Sequence, residues 1–156
     1  MPIVLHRIDD RLIHGQVVVG WGRPLGVGFI ALVDDTVAAS EWEQELYRMG
    51  VPPEMTLYFA DVASAEREHQ TWESDERPGI VLTADIATMA RLAVKAPIRE
   101  VNLGGIHHAP GRTQRLRYVF LSPEEEQALR ALADRGVVIS AQDVPGGKPI
   151  ELGDLL

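Results

Sequence analysis

The stretch Arg7-Ile8-Asp9-Asp10-Arg11-Leu12-Ile13-His14-Gly15-Gln16 lies between two apolar runs near the N-terminus. The run before it, Pro2-Ile3-Val4-Leu5, predicts a first strand over residues 3–8. The run after it, Val17-Val18-Val19, predicts a short buried helix over residues 15–22. The polar cluster is therefore the link between a first strand and a first helix. In an open α/β sheet such a link lies at the carboxyl edge of the strands, where ligands bind.

Apolar runs rich in β-forming residues alternate with helix-like stretches along the rest of the chain. Further strands are predicted over residues 29–33, 55–60, 80–83, 101–103 and 118–121 and from residue 137, and the last residues are candidates for a short edge strand. Helices are predicted over residues 40–49, 61–73 and 122–136 and from residue 85. The helix over residues 122–136 begins with a capping box formed by Ser122 and Glu125. The alternation predicts an α/β fold with a doubly wound, mostly parallel sheet of about seven strands, helices on both faces and a single domain over residues 1–156.

The predicted helix over residues 40–49 carries large apolar side chains at helical spacing. Trp42, Leu46 and Met49 recur at i, i+4 and i+7. We expect these three side chains to face the core, and we expect the same of the other Met and Trp residues.

Composition excludes several classes of protein. The chain has no cysteine, which rules out disulfides, a thiolate nucleophile and a cysteine zinc site. The formal net charge of -8 argues against nucleic acid as a partner, because nucleic-acid binding depends mainly on neutralising phosphates. No apolar run is long enough to span a bilayer and no signal peptide opens the chain, which fits a cytoplasmic protein.

The first loop has the residue types that phosphoryl transfer needs. His14 is the candidate nucleophile, since a neutral imidazole has a free ring nitrogen near pH 7. Arg11 is the candidate clamp, because its planar fork matches phosphate oxygens. Gly15, Gln16 and Val17 open the helix, and their amides are candidate donors to the phosphoryl group.

The acidic residues of this loop need a different role, because a carboxylate touching the phosphoryl group would repel it. We expect either Asp9 or Asp10 to hold Arg11 or to fix the tautomer of the imidazole, and we favour Asp9 because it lies at the end of the strand. Arg7 is expected to be a solvated charge.

Right-handed crossovers place the loops after all parallel strands on one rim. We expect this rim to contribute to the pocket or to a docking face through Asp35, Gly104, Gly105, His107 and His108. Asp34 and Asp35 are also expected to end the second strand and cap the next helix. Neighbouring histidines do not share a helix face and no acidic third ligand is evident, so no metal site is predicted.

The first loop closely resembles the active-site loop of the IIB components of the mannose/fructose/sorbose-type sugar phosphotransferase system (PTS). Further matches in family order cover essentially the whole chain: Asp35-Thr36-Val37-Ala38, Pro52-Pro53, Asn102-Leu103-Gly104-Gly105 and Gln142-Asp143-Val144-Pro145. The region from Trp42 to Trp72 is less typical of the family.

The resemblance implies a cytoplasmic phosphoryl carrier that associates peripherally with a membrane transporter and needs no cofactor. His14 would accept the phosphoryl group from a phosphohistidine of a IIA protein, with Arg11 as the loop arginine. The group would then pass to a hexose-type sugar delivered by membrane IIC and IID subunits. One alternative is a IIB-like regulatory module whose phosphorylation state controls partner binding.

A second alternative is a receiver domain phosphorylated on Asp61, with Thr83 as its switch residue. The fifth predicted strand of this chain is followed by Gly104-Gly105 instead of the lysine that a receiver requires. The receiver interpretation also leaves His14 without a role.

Overall fold

The computed structural model describes residues 2–156 apart from the side chain of Gln16. Its strands are β1 (Ile3–Ile8), β2 (Phe29–Val33), β3 (Thr56–Ala60), β4 (Gly79–Thr83), β5 (Glu100–Leu103), β6 (Thr113–Leu116), β7 (Val119–Leu121), β8 (Val138–Ala141) and β9 (Ile150–Glu151). Seven of them form one sheet in the order β3-β2-β4-β1-β5-β8-β9. All pairs in this sheet are parallel except β8 with β9. The predicted fold class is confirmed.

The strand predicted over residues 118–121 does not join the main sheet. It is β7, and it pairs antiparallel with β6 in a separate two-stranded hairpin. A parallel pairing after β5 would need a crossover, usually a helix, and no helix separates β5 from β7. A tight turn between Leu116 and Val119 gives β7 a local partner instead. The seventh member of the sheet is β9, the short edge strand at the end of the chain.

The helical elements are a π-helix (Gln16–Gly22), α1 (Asp35–Ala38), α2 (Glu41–Met49), α3 (Val62–Glu73), α4 (Ile86–Lys95), α5 (Pro123–Asp134) and α6 (Leu152–Leu155). Side chains cap the starts of five helices by accepting a backbone N–H: Asp34, Ser40, Asp61, Asp85 and Ser122. The predicted capping box of Ser122 and Glu125 is present. The short helices α1 and α6 were not predicted from the sequence.

Two apolar layers cover the two faces of the sheet. One contains Met89 of α4 and Leu129 of α5, packed against the side of the sheet that carries Val81. The other contains Trp21 of the π-helix, packed against the side that carries Leu82. β2 and β4 are buried at every position, as expected for inner strands of a parallel sheet with both faces covered.

The prediction that Trp42, Leu46 and Met49 face the core is wrong. Their exposed fractions are 67%, 55% and 81%. Another side of α2 attaches the helix to the fold. Gln44 Nε2 donates to the carbonyl of Val37 at 3.0 Å, and the ring of Tyr47 stacks on the ring of Phe59 in β3. Periodicity identifies a stripe of apolar residues, but it does not show what covers that stripe.

Other Met and Trp residues agree better with the core prediction. Trp21, Trp72 and Met89 are buried and Met55 is half-buried, whereas Met1 lies outside the described residues. Within residues 2–156, none of the helices combines the length and apolar character needed to cross a membrane.

Candidate functional site

The first loop is fixed at the carboxyl edge of the sheet by the ends of the two strands that flank β1. The backbone N–H of Asp9 donates to the carbonyl of Thr83 at 2.9 Å. The backbone N–H of Asp10 donates to the carbonyl of Gly105, also at 2.9 Å. These bonds place the loop on the predicted rim, between the loops that follow β4 and β5.

Asp9 lies at the centre of the site and is fully buried. Its Oδ1 accepts from Arg11 Nε at 3.0 Å, and its Oδ2 accepts from Arg11 Nη2 at 2.9 Å. The same Oδ2 lies 3.6 Å from Nε2 of His14. Burial acts to raise the pKa of Asp9, but the nearby imidazole of His14, the hydrogen bonds from Arg11 and the charge of Arg7 outweigh burial and hold this pKa well below its usual range.

Arg7 lies beneath this carboxylate and is also fully buried. Its Nη1 donates to Asn102 Oδ1 and, at 2.9 Å, to the carbonyl of Gln142. Its Nη2 contacts Asp9 Oδ2 at 3.3 Å, and its guanidinium lies 4.6 Å from the centre of the Trp21 ring.

The expectation that Arg7 is a solvated charge is therefore wrong. The available signal was the place of Arg7 at the carboxyl end of the predicted first strand, because β1 is buried at that end, at Arg7 and Ile8, although Val4 is exposed. A cation in that position requires acceptors, and the late segment containing Gln142 supplies one of them.

Arg11 is the more accessible of the two arginines, with 32% of its side chain exposed. The hydrogen bond to Asp9 raises its pKa above the ordinary arginine value. Its Nη2 also lies 3.9 Å from Oδ1 of Asp143, whose Oδ2 accepts from Arg117 Nη2 at 2.9 Å. Arg11 is thus oriented from two sides, and about a third of its side chain remains exposed.

The two glycines of the predicted rim pack closely against these charges, and at position 104 the packing requires a glycine. A Cβ at Gly104 would collide with the guanidinium of Arg7 and lie 2.6 Å from Asp9 Oδ2. A Cβ at Gly105 would lie 3.2 Å from Arg11 Nε. The loop after β5 therefore forms one wall of the site.

His14 occupies the mouth of the site, with 22% of its side chain exposed. Nε2 is buried and faces Asp9, so the exposed part of the ring belongs to its other atoms. Leu12 has a left-handed backbone with φ 59°, a strained conformation for a residue other than glycine. Strain of this kind concentrates at functional sites, and here it occurs in the turn that leads to His14.

The residues after His14 begin the π-helix. Gly15 is exposed, and a Cβ there would meet open space. Val17 is fully buried and packs in the layer with Trp21. The side chain of Gln16 lies outside the described part of the structure.

Asp10 has a separate role from Asp9. Its Oδ1 pairs with Nδ1 of His107 at 2.6 Å, and its Oδ2 accepts the backbone N–H of His107 at 2.7 Å. It thereby fastens the loop after β5 to the first loop. His108 is exposed, and its ring packs edge-on against Phe120 at 5.6 Å between centroids.

The acidic residues after β2 and β3 serve helix starts. Asp35 Oδ1 accepts from the backbone N–H of Val62 at 3.0 Å, and its Oδ2 accepts from Arg91 at 3.1 Å. Asp61 accepts from the backbone N–H of Ser64 at 2.7 Å as the cap of α3. Among the described residues, no three His, Cys, Asp or Glu side chains are grouped so that they could hold a metal ion.

The mostly parallel sheet, with helices on both faces and a polar site at the carboxyl edge of its strands, places the chain among the α/β domains that bind ligands at that edge. Residues 3–156 match the family model described as PTS system sorbose subfamily IIB component. The chain belongs to this family, and the resemblance noted from the sequence is confirmed.

Individual relatives agree with this assignment. The chain is 34% identical to the PTS system sorbose-specific EIIB component of Klebsiella pneumoniae, over 99% of this chain and 94% of the relative. It is 33% identical to the PTS system mannose-specific EIIAB component of Escherichia coli K12 over 100% of this chain and 49% of the relative, so it spans about half the length of that protein. The solved IIBSor domain of the sorbose permease from Klebsiella pneumoniae superposes with a TM-score of 0.89 at 28% identity, covering 99% of this chain and 96% of that one.

Proposed function

We propose that residues 1–156 form one IIB-type domain that carries a phosphoryl group on His14 during sugar uptake. The group comes from a phosphohistidine on a IIA protein and passes to a hexose-type sugar delivered by membrane IIC and IID subunits. The domain works on the cytoplasmic side, peripherally associated with that transporter. Family membership supports this role. The observation that carries the proposal is the buried Nε2 of His14 facing Asp9 Oδ2 at 3.6 Å.

That geometry assigns different tasks to the two nitrogens of the imidazole. A carboxylate next to Nε2 favours the tautomer with the proton on Nε2, which leaves the lone pair on Nδ1. Nδ1 attacks the phosphorus of the donor, the new N–P bond forms, and the old N–P bond breaks with its electron pair returning to the donor imidazole. The ring of His14 gains positive charge in this step, and the ionised carboxylate of Asp9 stabilises it.

The arginines supply the positive charge that the transferring group needs. Three arginines, Arg7, Arg11 and Arg117, lie beside two carboxylates, Asp9 and Asp143, so the formal charge of the cluster is +1. The planar guanidinium of Arg11, whose side chain is partly exposed, is suited to the equatorial phosphoryl oxygens. Arg7 is fully buried and acts by holding Asp9 in place.

Transfer of a phosphoryl group from a protein donor tests the proposal. The purified chain is incubated with a panel of phosphorylated IIA proteins, and the modified residue is located by mass spectrometry. We expect an acid-labile, base-stable phosphate on His14 that is lost when His14 is replaced by alanine. A base-labile phosphate on Asp61 would contradict the proposal in favour of a receiver.

The fate of the label distinguishes transport from regulation. When membrane vesicles containing IIC and IID subunits are added, we expect a hexose that these subunits accept to remove the phosphate from His14. A label that persists with every sugar and every membrane component would favour the regulatory module instead.

A further inference from the structure

Three apolar side chains on one face of α2 form an exposed surface that we call the apolar stripe: Trp42, Leu46 and Met49. No residue of α2 is buried. The fold holds this helix through another side, where Gln44 donates to the carbonyls of Val37 and Ala38 at 3.0 and 3.2 Å. The apolar stripe therefore contributes little to packing within the chain.

The apolar stripe is continuous with the first loop, which contains His14. Trp42 and Leu46 line a groove of about 460 Å³ whose wall also includes Leu12 and Val37. Leu12 lies two residues before His14 in the same loop. A protein that exchanges a phosphoryl group with His14 must cover the surface around this histidine, and a stable interface covers about 800 Å² on each partner. Because Leu12 of the first loop lines the groove, a partner that covers His14 also lies next to the groove.

Acidic side chains flank the apolar stripe. Glu41, Glu43 and Glu45 lie on the same helix, and Asp34 lines the groove. The single basic residue of α2, Arg48, is paired with Glu45. The complementary surface on a partner therefore has an apolar centre with basic side chains around it.

This charge pattern distinguishes between occupants. A second copy of the chain docked through the same face would bring two acidic borders together, which costs free energy. A partner with a basic border would be attracted and steered toward His14 as it diffuses.

We propose that the apolar stripe is a docking surface for the protein that donates the phosphoryl group to His14, recognised through an apolar centre bordered by Lys or Arg. This inference rests on the proposed function and adds the surface that selects the donor.

The test compares a protein donor with a small donor that needs no docking surface. Phosphorylation of His14 is timed with phosphoramidate and with the IIA protein that labels the wild-type chain fastest. In the variant with Trp42→Ala and Met49→Ser, we expect kcat/KM for the IIA protein to fall about tenfold or more, since exposed aromatic anchors dominate interfaces. The rate with phosphoramidate stays unchanged.

Matched variants control for surface changes elsewhere. Val94 on α4 is similarly exposed, at 65%, and Val94→Ser is expected to leave both rates unchanged. Glu41→Lys is expected to lower kcat/KM for the IIA protein, whereas Glu68→Lys, at an exposed position on α3, leaves it unchanged.

Several results would overturn the proposal. Equal loss with both donors would mean that the apolar stripe supports the site itself. No loss with either donor would mean that the donor docks elsewhere. Concentration-dependent dimers of the wild type that disappear in the apolar-stripe variant would identify a second copy as the occupant.

Labelling of wild-type His14 by phosphoramidate and by no IIA protein would contradict the donor step of the proposed function, and the docking proposal would fall with it. A normal IIA rate for the variant would overturn the docking proposal alone.

Discussion

Asp9 and Arg11 form a two-point contact, with Oδ1 3.0 Å from Nε and Oδ2 2.9 Å from Nη2. Both oxygens of the carboxylate accept hydrogen bonds from Arg11, so the plane of the guanidinium is fixed next to His14. In the proposed mechanism, this arrangement orients a cation for the incoming phosphoryl group, while Asp9 faces Nε2 and not the attacking Nδ1.

Replacement of Arg11 by lysine tests the need for a planar fork. Arg11→Lys keeps the charge and loses the two-point contact with Asp9. We expect phosphoryl transfer from the IIA protein to slow by about tenfold to a hundredfold, the range for a charged hydrogen bond worth about 1.5–3 kcal/mol. Rapid-quench kinetics measure the rate, and Arg67→Lys on α3 is the matched control. An unchanged rate would remove Arg11 from the mechanism.

Replacement of Asp9 by asparagine tests the buried charge cluster. Asp9→Asn leaves the buried Arg7 without its counter-charge, and breaking a buried pair in this way costs about 3–5 kcal/mol. We expect urea unfolding to show a loss of that order, together with weaker labelling of His14. Asp75→Asn breaks a more exposed pair with Arg77, which is expected to cost less than about 1 kcal/mol. Equal stability of the Asp9 variant and the wild type would show that the cluster does not stabilise the fold.

Replacement of Gly104 by alanine tests the packing of the wall. A Cβ at this position would collide with the guanidinium of Arg7 and with the carboxylate of Asp9. Both side chains are fully buried and have no room to move away. We expect a loss of about 1–3 kcal/mol, typical of overpacking in a well-packed interior. A Cβ at Gly146 meets no atom within 4 Å, so Gly146→Ala serves as the control for thermal denaturation. Equal melting temperatures of the two variants would contradict the close approach.

The stacked pair of His6 and His69 predicts a pH dependence of stability. Their Nε2 atoms lie 3.0 Å apart, and burial together with the charge of His69 lowers the pKa of His6 to about 3. Burial also lowers the pKa of His69, although the charge of Glu73 opposes that shift. Both groups bind protons more weakly in the folded chain than in the unfolded chain. Their contribution to stability is therefore present above pH 6.5 and lost as the pH falls from 6.5 toward 3.

We expect the free energy of unfolding to decrease over that pH range. His69→Gln should make the decrease shallower, whereas His108→Gln on the exposed rim should leave its slope unchanged. Urea unfolding at a series of pH values measures the slopes. Equal slopes in all three proteins would contradict this account.

The parts of the fold that follow from local pattern could be predicted from the sequence. The alternation of apolar strands and capped helices predicts the parallel sheet, and Ser122 with Glu125 marks the start of α5. The hairpin of β6 and β7 and the exposure of Trp42 depend on which elements pack together. A single sequence does not contain that information.

The site also has features that the sequence predicts and features that only the structure shows. Residue types and their order indicate His14 and Arg11 as the reactive pair. The sequence favoured Asp9 over Asp10 from its place at the end of the strand but did not decide between them. In the structure, Asp9 binds Arg11, whereas Asp10 pairs with His107. The burial of Arg7 follows from its acceptors on distant segments, which are separated from it by more than ninety residues of chain.

Phosphorus-31 NMR of the chain after reaction with a phosphorylated IIA protein tests the central claim most directly. The account predicts a single phosphoramidate signal from Nδ1 of His14, absent in His14→Ala, while Nε2 keeps its proton facing Asp9. A phosphate on Nε2 of His14, or on any other residue, would contradict it.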